Sequence, residues 1–286
     1  MNKVKNGVSP KPQSRNRSWA DLLPRLASAG VLLAVTIVAV WLGGVWFALL
    51  LSAAFFGVYR EWDTMVTVSE LKVRGYLLAG VLALVPIVAT LGGLLAGASL
   101  SVVGIGIVVT GSRDVILWRA SGLLFFSMVI VALVAIRGSS LLGFAVCFFL
   151  GASVWMTDTG AYFAGRLFGG EKLSPAISPG KTRSGAIGGL LVGTLSGLLV
   201  WVIVTPAPWW IGLGLAALVS VAGQLGDLSE SAVKRRFRIK DTSDLIPGHG
   251  GIMDRMDSLT FGALVLFGVG ALHLGFDRVA EGILLW

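Results

Sequence analysis

The chain has 286 residues, of which 55% are hydrophobic and 13% are charged, and its formal net charge is +8. Average soluble proteins carry about 25% charged residues, so this composition excludes an ordinary soluble protein and indicates an integral membrane protein. The positive charge is explained by basic residues that stay on one side of the bilayer near anionic lipids, and no nucleic-acid partner is expected.

The amino-terminal segment, residues 1–24, is basic and polar and precedes every long apolar run. We predict a cytoplasmic tail here rather than a cleaved signal peptide, because no cleavage site of small residues closes a short apolar region. The single cysteine, Cys147, cannot form an intrachain disulfide and is expected to pack as a small hydrophobic residue.

Long continuous apolar runs predict an all-α, polytopic membrane fold with about nine transmembrane helices, at roughly 17–25 residues per span. In the amino-terminal region, residues 25–137, the runs 26–59 and 75–112 each hold two spans separated by glycines, and 120–136 holds one. Almost no polar side chain falls inside these spans, so the chemistry is expected after residue 150.

The carboxyl-terminal region, residues 138–286, is predicted to be the catalytic part, with loops in the cytoplasm. One span covers 138–157 and continues towards residue 168, and two lie in 184–226 with a break at the sequence TPAP. The last span covers 258–276.

The basic residues predict an orientation. With the amino terminus in the cytoplasm, 21 of the 23 Lys and Arg residues fall on that side, and only Arg137 and Arg278 do not. This asymmetry predicts a protein of the cell (inner) membrane whose active site lies at the cytoplasmic face.

Two aspartates within the predicted spans are candidates for function, since an ionisable residue in a span is costly. Asp158 shares a helix face with Tyr162 and Arg166, and an internal Asp–Arg pair is the structural alternative. Asp227 ends the eighth span, and three residues share its helix face: Glu230, Ser231 and Lys234.

The sequence PGHGGIMDRMD predicts a tight loop followed by a helix. Asp254 and Asp257 stand where the last span begins, and either one alone would fit a helix-capping carboxylate. Both together, beside Asp227 and a strip of Lys and Arg, indicate a site that binds a hard cation such as Mg²⁺ and phosphate groups. Such a site is typical of phosphoryl or nucleotidyl transfer.

A further basic cluster lies in AISPGKTRSGA, residues 176–186. The GKT sequence is not a P-loop, because Pro175 stands where that motif needs a glycine and no strand precedes it. What remains is a possible phosphate site at the start of the seventh span, and positive-inside lysines with a helix cap are the alternative. The cluster comprises Ser178, Lys181, Thr182 and Arg183.

Residues 231–257 resemble the signature of the phosphatidate cytidylyltransferases, also called CDP-diacylglycerol synthases. The matching residues are Ser231, Lys234, Arg235, Lys240, Asp241, Pro247, His249, Gly250, Gly251, Asp254, Arg255 and Asp257. The sequences TDTGAYFAGRLFGG and ISPGKT also resemble landmarks of that family, with Gly180 as a departure. The amino-terminal spans match only in general character.

The resemblance implies a reaction in which CTP and phosphatidic acid give CDP-diacylglycerol and pyrophosphate. It also implies a multi-span helical fold, a homodimer and dependence on Mg²⁺. The metal ligands implied are Asp227 and Asp254, with room for a second cation nearby.

The candidate catalytic residues are therefore Asp158, Asp227, Lys234, Asp254 and Asp257. The candidate substrate-binding residues are Ser178, Lys181, Thr182, Ser231, Arg235, Lys240, His249 and Arg255. Basic residues would hold the triphosphate or the leaving pyrophosphate. Asp158 and Asp257 would support a second cation or orient basic groups, and His249 would bind phosphate or brace the glycine loop.

Two other functions fit parts of the pattern. A CTP-dependent polyprenol or dolichol kinase would also join a nucleotide to a membrane substrate, although its alcohol nucleophile would need a base more urgently. An ion-coupled transporter would use Asp158 and Asp227 as ion ligands. The chain shows no internal repeat, which disfavours a transporter built from inverted halves.

Overall fold

The computed structural model describes residues 22–69, 71–108, 112–243 and 250–286, and the side chains of these from residue 30 onward. The long helices in this part of the chain are α1 (Leu22–Leu42), α2 (Gly44–Thr67), α3 (Val73–Gly92), α4 (Leu94–Val108), α5 (Arg113–Arg137), α6 (Leu141–Phe168), α7 (Arg183–Val204), α8 (Trp209–Arg236) and α9 (Met253–Leu274). The shorter elements are an antiparallel hairpin of β1 (Lys172–Ser174) and β2 (Ser178–Thr182), a 3-10 turn (Phe276–Arg278) and α10 (Val279–Leu284).

The helices α1 to α9 correspond one by one to the predicted spans, and a polytopic helical membrane fold is confirmed. Glycines with positive φ separate α1 from α2 and α3 from α4, at Gly43 (φ +63°) and Gly93 (φ +91°). Seven of the helices described are long and apolar enough to cross a membrane, whereas Gly30–Leu42 and Leu94–Val108 are shorter apolar stretches. The count of nine spans therefore stays a prediction.

The expectation that polar chemistry lies only after residue 150 was wrong. The helix α2 continues past the charge-free run to Thr67, and it carries Glu61 and Asp63 with only 3% and 1% of their surfaces exposed. Asp63 pairs with the buried Arg119 of α5, where Arg119 Nε lies 2.6 Å from Asp63 Oδ1. Buried polar chemistry is thus present well before residue 150.

The two ends of the bundle differ in character. At one end of the bundle lie the carboxyl termini of α2, α6 and α8 and the amino termini of α5, α7 and α9. We call this the charged end. The far end is closed by Arg137, whose guanidinium is buried and donates to the carbonyls of Val40 (2.5 Å) and Trp41 (3.0 Å). Arg137 thereby satisfies carbonyls that the last turn of α1 would leave unpaired.

Close helix packing fixes the position of Asp158. Helices α6 and α7 pack so tightly that a Cβ at Gly189 would lie 2.7 Å from the carbonyl oxygen of Thr157. The buried Thr157 hydroxyl also contacts Ser220 Oγ of α8 at 2.8 Å. Three helices therefore hold the residue that precedes Asp158.

Candidate active site

Five carboxylates from three helices gather at the charged end. They are Asp158 of α6, Asp227 and Glu230 of α8, and Asp254 and Asp257 of α9. Glycine allows α8 and α9 to approach each other: a Cβ at Gly226 would lie 2.5 Å from the carbonyl oxygen of Asp257. Gly226, next to Asp227, therefore makes room for another helix.

Asp227 lies at the centre of the first group of charges. Its carboxylate forms an ion pair with Lys181 and lies 3.4 Å from the Ser231 hydroxyl, and about a third of the side chain (31%) is exposed. The carboxylates of Asp158 and Asp257 interact electrostatically with that of Asp227. Three like charges thus share one region.

Asp158 and Asp257 are both connected to Ser258. The Ser258 hydroxyl lies 3.4 Å from Asp158 Oδ1, and the Ser258 backbone N–H donates to Asp257 Oδ1 at 2.7 Å. Arg255 is exposed and interacts electrostatically with Asp158. The start of α9 therefore contributes Asp257 to the carboxylates around Asp227, and its Ser258 hydroxyl orients Asp158.

A β-hairpin that the sequence analysis did not predict brings Lys181 to Asp227. Its strands pair Lys172 with Thr182 and Ser174 with Ser178. The Thr182 hydroxyl accepts the Gly185 N–H at 3.1 Å and so caps α7. Ser178 and Thr182, two other predicted members of this cluster, therefore belong to the hairpin. Their contact with substrate stays a prediction.

Arg235 connects the hairpin to α8. Its Nε donates to the carbonyl of Ile177 at 3.2 Å, and its Nη1 donates to the carbonyl of Ile239 at 3.3 Å. Lys240 is exposed a few residues further on. His249, another predicted substrate-binding residue, lies outside the described residues.

Lys234 lies at the centre of the second group of charges. Its Nζ is 2.7 Å from Asp254 Oδ1 and 3.1 Å from Glu230 Oε1, and all three side chains are at least 86% buried. Removing one partner from such a buried ion pair is strongly destabilising, because it leaves an uncompensated buried charge. The sequence analysis placed Glu230 on the helix face of Asp227 but did not include it among the site residues.

Asp254 also anchors the loop before α9. Its Oδ2 accepts the Thr242 N–H at 3.2 Å, the Thr242 hydroxyl at 3.1 Å and the Gly251 N–H at 3.2 Å. One oxygen of Asp254 is thus committed to the loop, and the other faces Lys234. A side chain at Gly251 would collide with the Thr242 hydroxyl, which explains the glycine at that position.

Glu61 of α2 holds the same loop from the opposite side, and sequence reasoning missed it. Its carboxylate accepts the N–H groups of Ile252 (3.0 Å) and Met253 (2.8 Å), and the hydroxyls of Ser243 (2.5 Å) and Thr242 (3.2 Å). The first N–H groups of a helix have no partner within it, and a negative charge there is favourable. Glu61 therefore caps α9 from another helix.

The donor set fits a magnesium ion that is completed by substrate oxygens. Among the residues that the structure describes, no three His, Cys, Asp or Glu side chains are arranged to hold a metal by themselves. Mg²⁺, however, usually takes only one or two carboxylates and fills its other positions with water and phosphate. The negative charge shared by Asp158, Asp227 and Asp257 suits such a cation.

The fold and the site together define a class: a polytopic membrane protein with carboxylates and lysines clustered at one end of its helices. The sequence model of the cytidylyltransferase family matches residues 23–273. The chain belongs to this family.

Two relatives illustrate how far the similarity extends. The phosphatidate cytidylyltransferase of Brucella suis biovar 1 (strain 1330) is 37% identical over 262 residues, covering 88% of this chain and 94% of the relative. The phosphatidate cytidylyltransferase of Staphylococcus saprophyticus subsp. saprophyticus (strain ATCC 15305) is 49% identical over 109 residues, which cover 38% of this chain and 42% of the relative. The first match therefore includes both the amino-terminal helices and the charged end.

Proposed function

We propose that the protein transfers CMP from CTP to phosphatidic acid, giving CDP-diacylglycerol and pyrophosphate, as a step of phospholipid biosynthesis. The observation that carries this proposal is the pair of lysines, Lys181 and Lys234, held among five carboxylates at the ends of membrane helices. Such a site can meet a lipid phosphate and a nucleotide at once. Family membership and the relatives' names support the same reaction.

The reaction exchanges one phosphorus–oxygen bond for another. An oxygen of the lipid phosphate attacks the α-phosphorus of CTP, the bond from that phosphorus to the β-phosphate oxygen breaks, and its electron pair leaves with pyrophosphate. The lipid phosphate is already an anion at neutral pH, so no strong base is needed. The main obstacle is repulsion between two polyanions.

The chain's own residues reduce that repulsion. Lys181 and Lys234 would exchange their carboxylate partners for phosphate oxygens, and Arg255 would steady the leaving pyrophosphate. Asp227 and Asp254 would hold Mg²⁺, which supplies neutralisation of phosphate charge when bound. Because Asp254 Oδ2 is engaged by the loop, Oδ1 is the oxygen available to a cation. Asp158 and Asp257 would support a second cation.

We also propose an orientation and an assembly. The protein would lie in the inner membrane with its amino terminus and charged end in the cytoplasm, which the distribution of 21 of 23 Lys and Arg residues supports. A homodimer is proposed from the family resemblance.

Labelled CTP tests the reaction directly. The purified protein, given phosphatidic acid and Mg²⁺, should transfer a label in the cytosine ring to the extracted lipid, and omission of phosphatidic acid should abolish the transfer. Transfer of only a γ-phosphate label, to a polyprenol, would instead establish a lipid kinase. Ion flux in liposomes without CTP, with no labelled lipid, would establish a transporter.

The same assay tests Glu61. Glu61→Gln should lower turnover about 10–100-fold, the usual effect of losing a group that orients a metal or substrate ligand. A glutamine keeps one oxygen acceptor but places an NH2 group where the second carboxylate oxygen was, so it can accept from only one of the N–H groups of Ile252 and Met253, and the loop and Asp254 would shift. The Michaelis constant for CTP should change much less than turnover.

Asp63→Asn is the matched control, two residues away on the same helix. It leaves the buried Arg119 without its counter-charge and should destabilise the protein by about 3–5 kcal/mol, with turnover per folded molecule retained. If both variants lost stability and turnover in parallel, Glu61 would have only a structural role.

A further inference from the structure

Lys234 lies between two carboxylates that it contacts in different ways. Its Nζ donates a hydrogen bond to Asp254 Oδ1 at 2.7 Å. It also lies 3.1 Å from Glu230 Oε1, but among the residues that the structure describes this buried oxygen has no partner with hydrogen-bond geometry. Lys234 is therefore engaged with Asp254 and only adjacent to Glu230.

The oxygen of Asp254 that holds Lys234 is also the one that a cation would need. Asp254 Oδ2 accepts hydrogen bonds from Thr242 and from the Gly251 N–H, which leaves Oδ1 as the free oxygen. An ammonium and a metal ion repel each other and cannot share this small contact. Binding of a cation at Asp254 therefore requires that Lys234 moves away from Oδ1.

Glu230 is placed to receive the displaced ammonium. It stands four residues before Lys234 on α8, and the two side chains are only 10% and 12% exposed. A buried ammonium that loses its counter-charge is strongly destabilising, and a buried carboxylate oxygen without a hydrogen bond is costly as well. A short movement of Nζ from Asp254 to Glu230 would avoid both costs.

We propose that Glu230 is a positioning residue that takes Lys234 from Asp254 when Asp254 binds the cation. An ammonium has three N–H donors, so Lys234 can stay paired with Glu230 and offer its other donors to a substrate phosphate. The exchange moves charges only, and no covalent bond changes. The proposal rests on the proposed function, since it takes Asp254 as a ligand of Mg²⁺.

Glu230→Gln tests the proposal through cation binding rather than turnover. An amide cannot balance the charge of Lys234, so Lys234 should stay on Asp254 and compete with the cation. The probe is Mn²⁺, which takes the same oxygen ligands as Mg²⁺. Its binding is measured by electron paramagnetic resonance on the purified full-length protein, without CTP or lipid. The variant should bind Mn²⁺ about 10–100-fold more weakly than wild type.

Glu281→Gln is the matched control, because Glu281 lies in α10 at the far end of the molecule. It is the same change of side chain and should leave the affinity for Mn²⁺ as in wild type.

Lys234→Met separates the exchange from a simple loss of negative charge. If Glu230 acted only through its charge, or as a direct ligand of the cation, Lys234→Met would have the same effect with either residue at position 230. The exchange predicts that the two effects are not additive. Lys234→Met should raise the affinity for Mn²⁺ about tenfold or more in the Glu230→Gln protein, and about threefold or less in wild type. If Lys234→Met does not accumulate, Lys234→Gln replaces it, because its amide can still donate to the buried carboxylates.

Four results would overturn the proposal: no binding of Mn²⁺ by wild type, an unchanged affinity in Glu230→Gln, the same weakening in Glu281→Gln, or equal effects of the Lys234 change in the two proteins. The last would make Glu230 a cation ligand or a simple source of charge. Failure of the proposed function is distinct, because wild type would then form no nucleotide-bearing lipid, whereas Mn²⁺ binding is measured without substrates.

Discussion

Replacing Asp227 with asparagine should lower turnover at least about 100-fold, the usual effect of removing one group that stabilises transition-state charge. Asp227 lies near Asp158 and Asp257, and among the described residues only Asp227 of these three forms an ion pair with Lys181. Its side chain is also partly open to solvent. Its loss would remove both the proposed ligand for the cation and the partner that holds Lys181. The measurement is CMP transfer from labelled CTP per mole of purified, membrane-inserted protein.

Lys181→Met separates these two roles. If Asp227 served only to hold Lys181, the single variants and the double variant would be equally impaired, and the metal assignment would be wrong. If Asp227 holds the cation, Asp227→Asn should be the more damaging change, and excess Mg²⁺ should partly restore activity only to variants that keep Asp227. Glu171→Gln is a control, since Glu171 is 73% exposed and pairs with Arg183 at the hairpin.

Asp254→Asn should also lower turnover at least about 100-fold. The asparagine carbonyl can still accept from Thr242 and Gly251, so the loop before α9 should remain in place. Its amide nitrogen would then face Lys234 Nζ, where Asp254 Oδ1 now lies at 2.7 Å. The variant should therefore fold, with Lys234 displaced and one proposed oxygen ligand of the cation lost.

The far end of the molecule supplies the control for this variant. Asp277→Asn changes an exposed carboxylate in the 3-10 turn after α9 and should leave turnover unchanged. Thermal unfolding in detergent should show both variants folded, with a lower midpoint for Asp254→Asn because it loses a buried ion pair with Lys234. Near-normal turnover by a folded Asp254→Asn protein would refute a role for Asp254 in binding the cation.

Local sequence patterns were sufficient to predict much of this molecule. Charge-free runs and glycine breaks located the helices, because the interior of a bilayer accepts few unpaired polar groups. Helical spacing placed Glu230, Ser231 and Lys234 beside Asp227, and the structure shows contacts from Ser231 to Asp227 and from Lys234 to Glu230.

Other features depend on contacts that are distant in sequence. Glu61 meets Ile252 across 191 positions, and no local pattern indicates that pairing. The available signal was a carboxylate pair, Glu61 and Asp63, just after an apolar run, in which Glu61 has no basic residue three or four positions away. The hairpin was missed because its strands are short and polar, and because its contact with Arg235 of α8 joins residues 58 positions apart.

The capping of α9 by Glu61 limits how the chain can be divided or recombined. A fragment that begins at residue 138 would contain every carboxylate of the two charge groups, yet the leading amides of α9 would lose their acceptor. Chimeras that exchange the first five helices between relatives should be productive only when the donor supplies an acid at this position. Co-expression of the missing half as a separate polypeptide is the natural rescue.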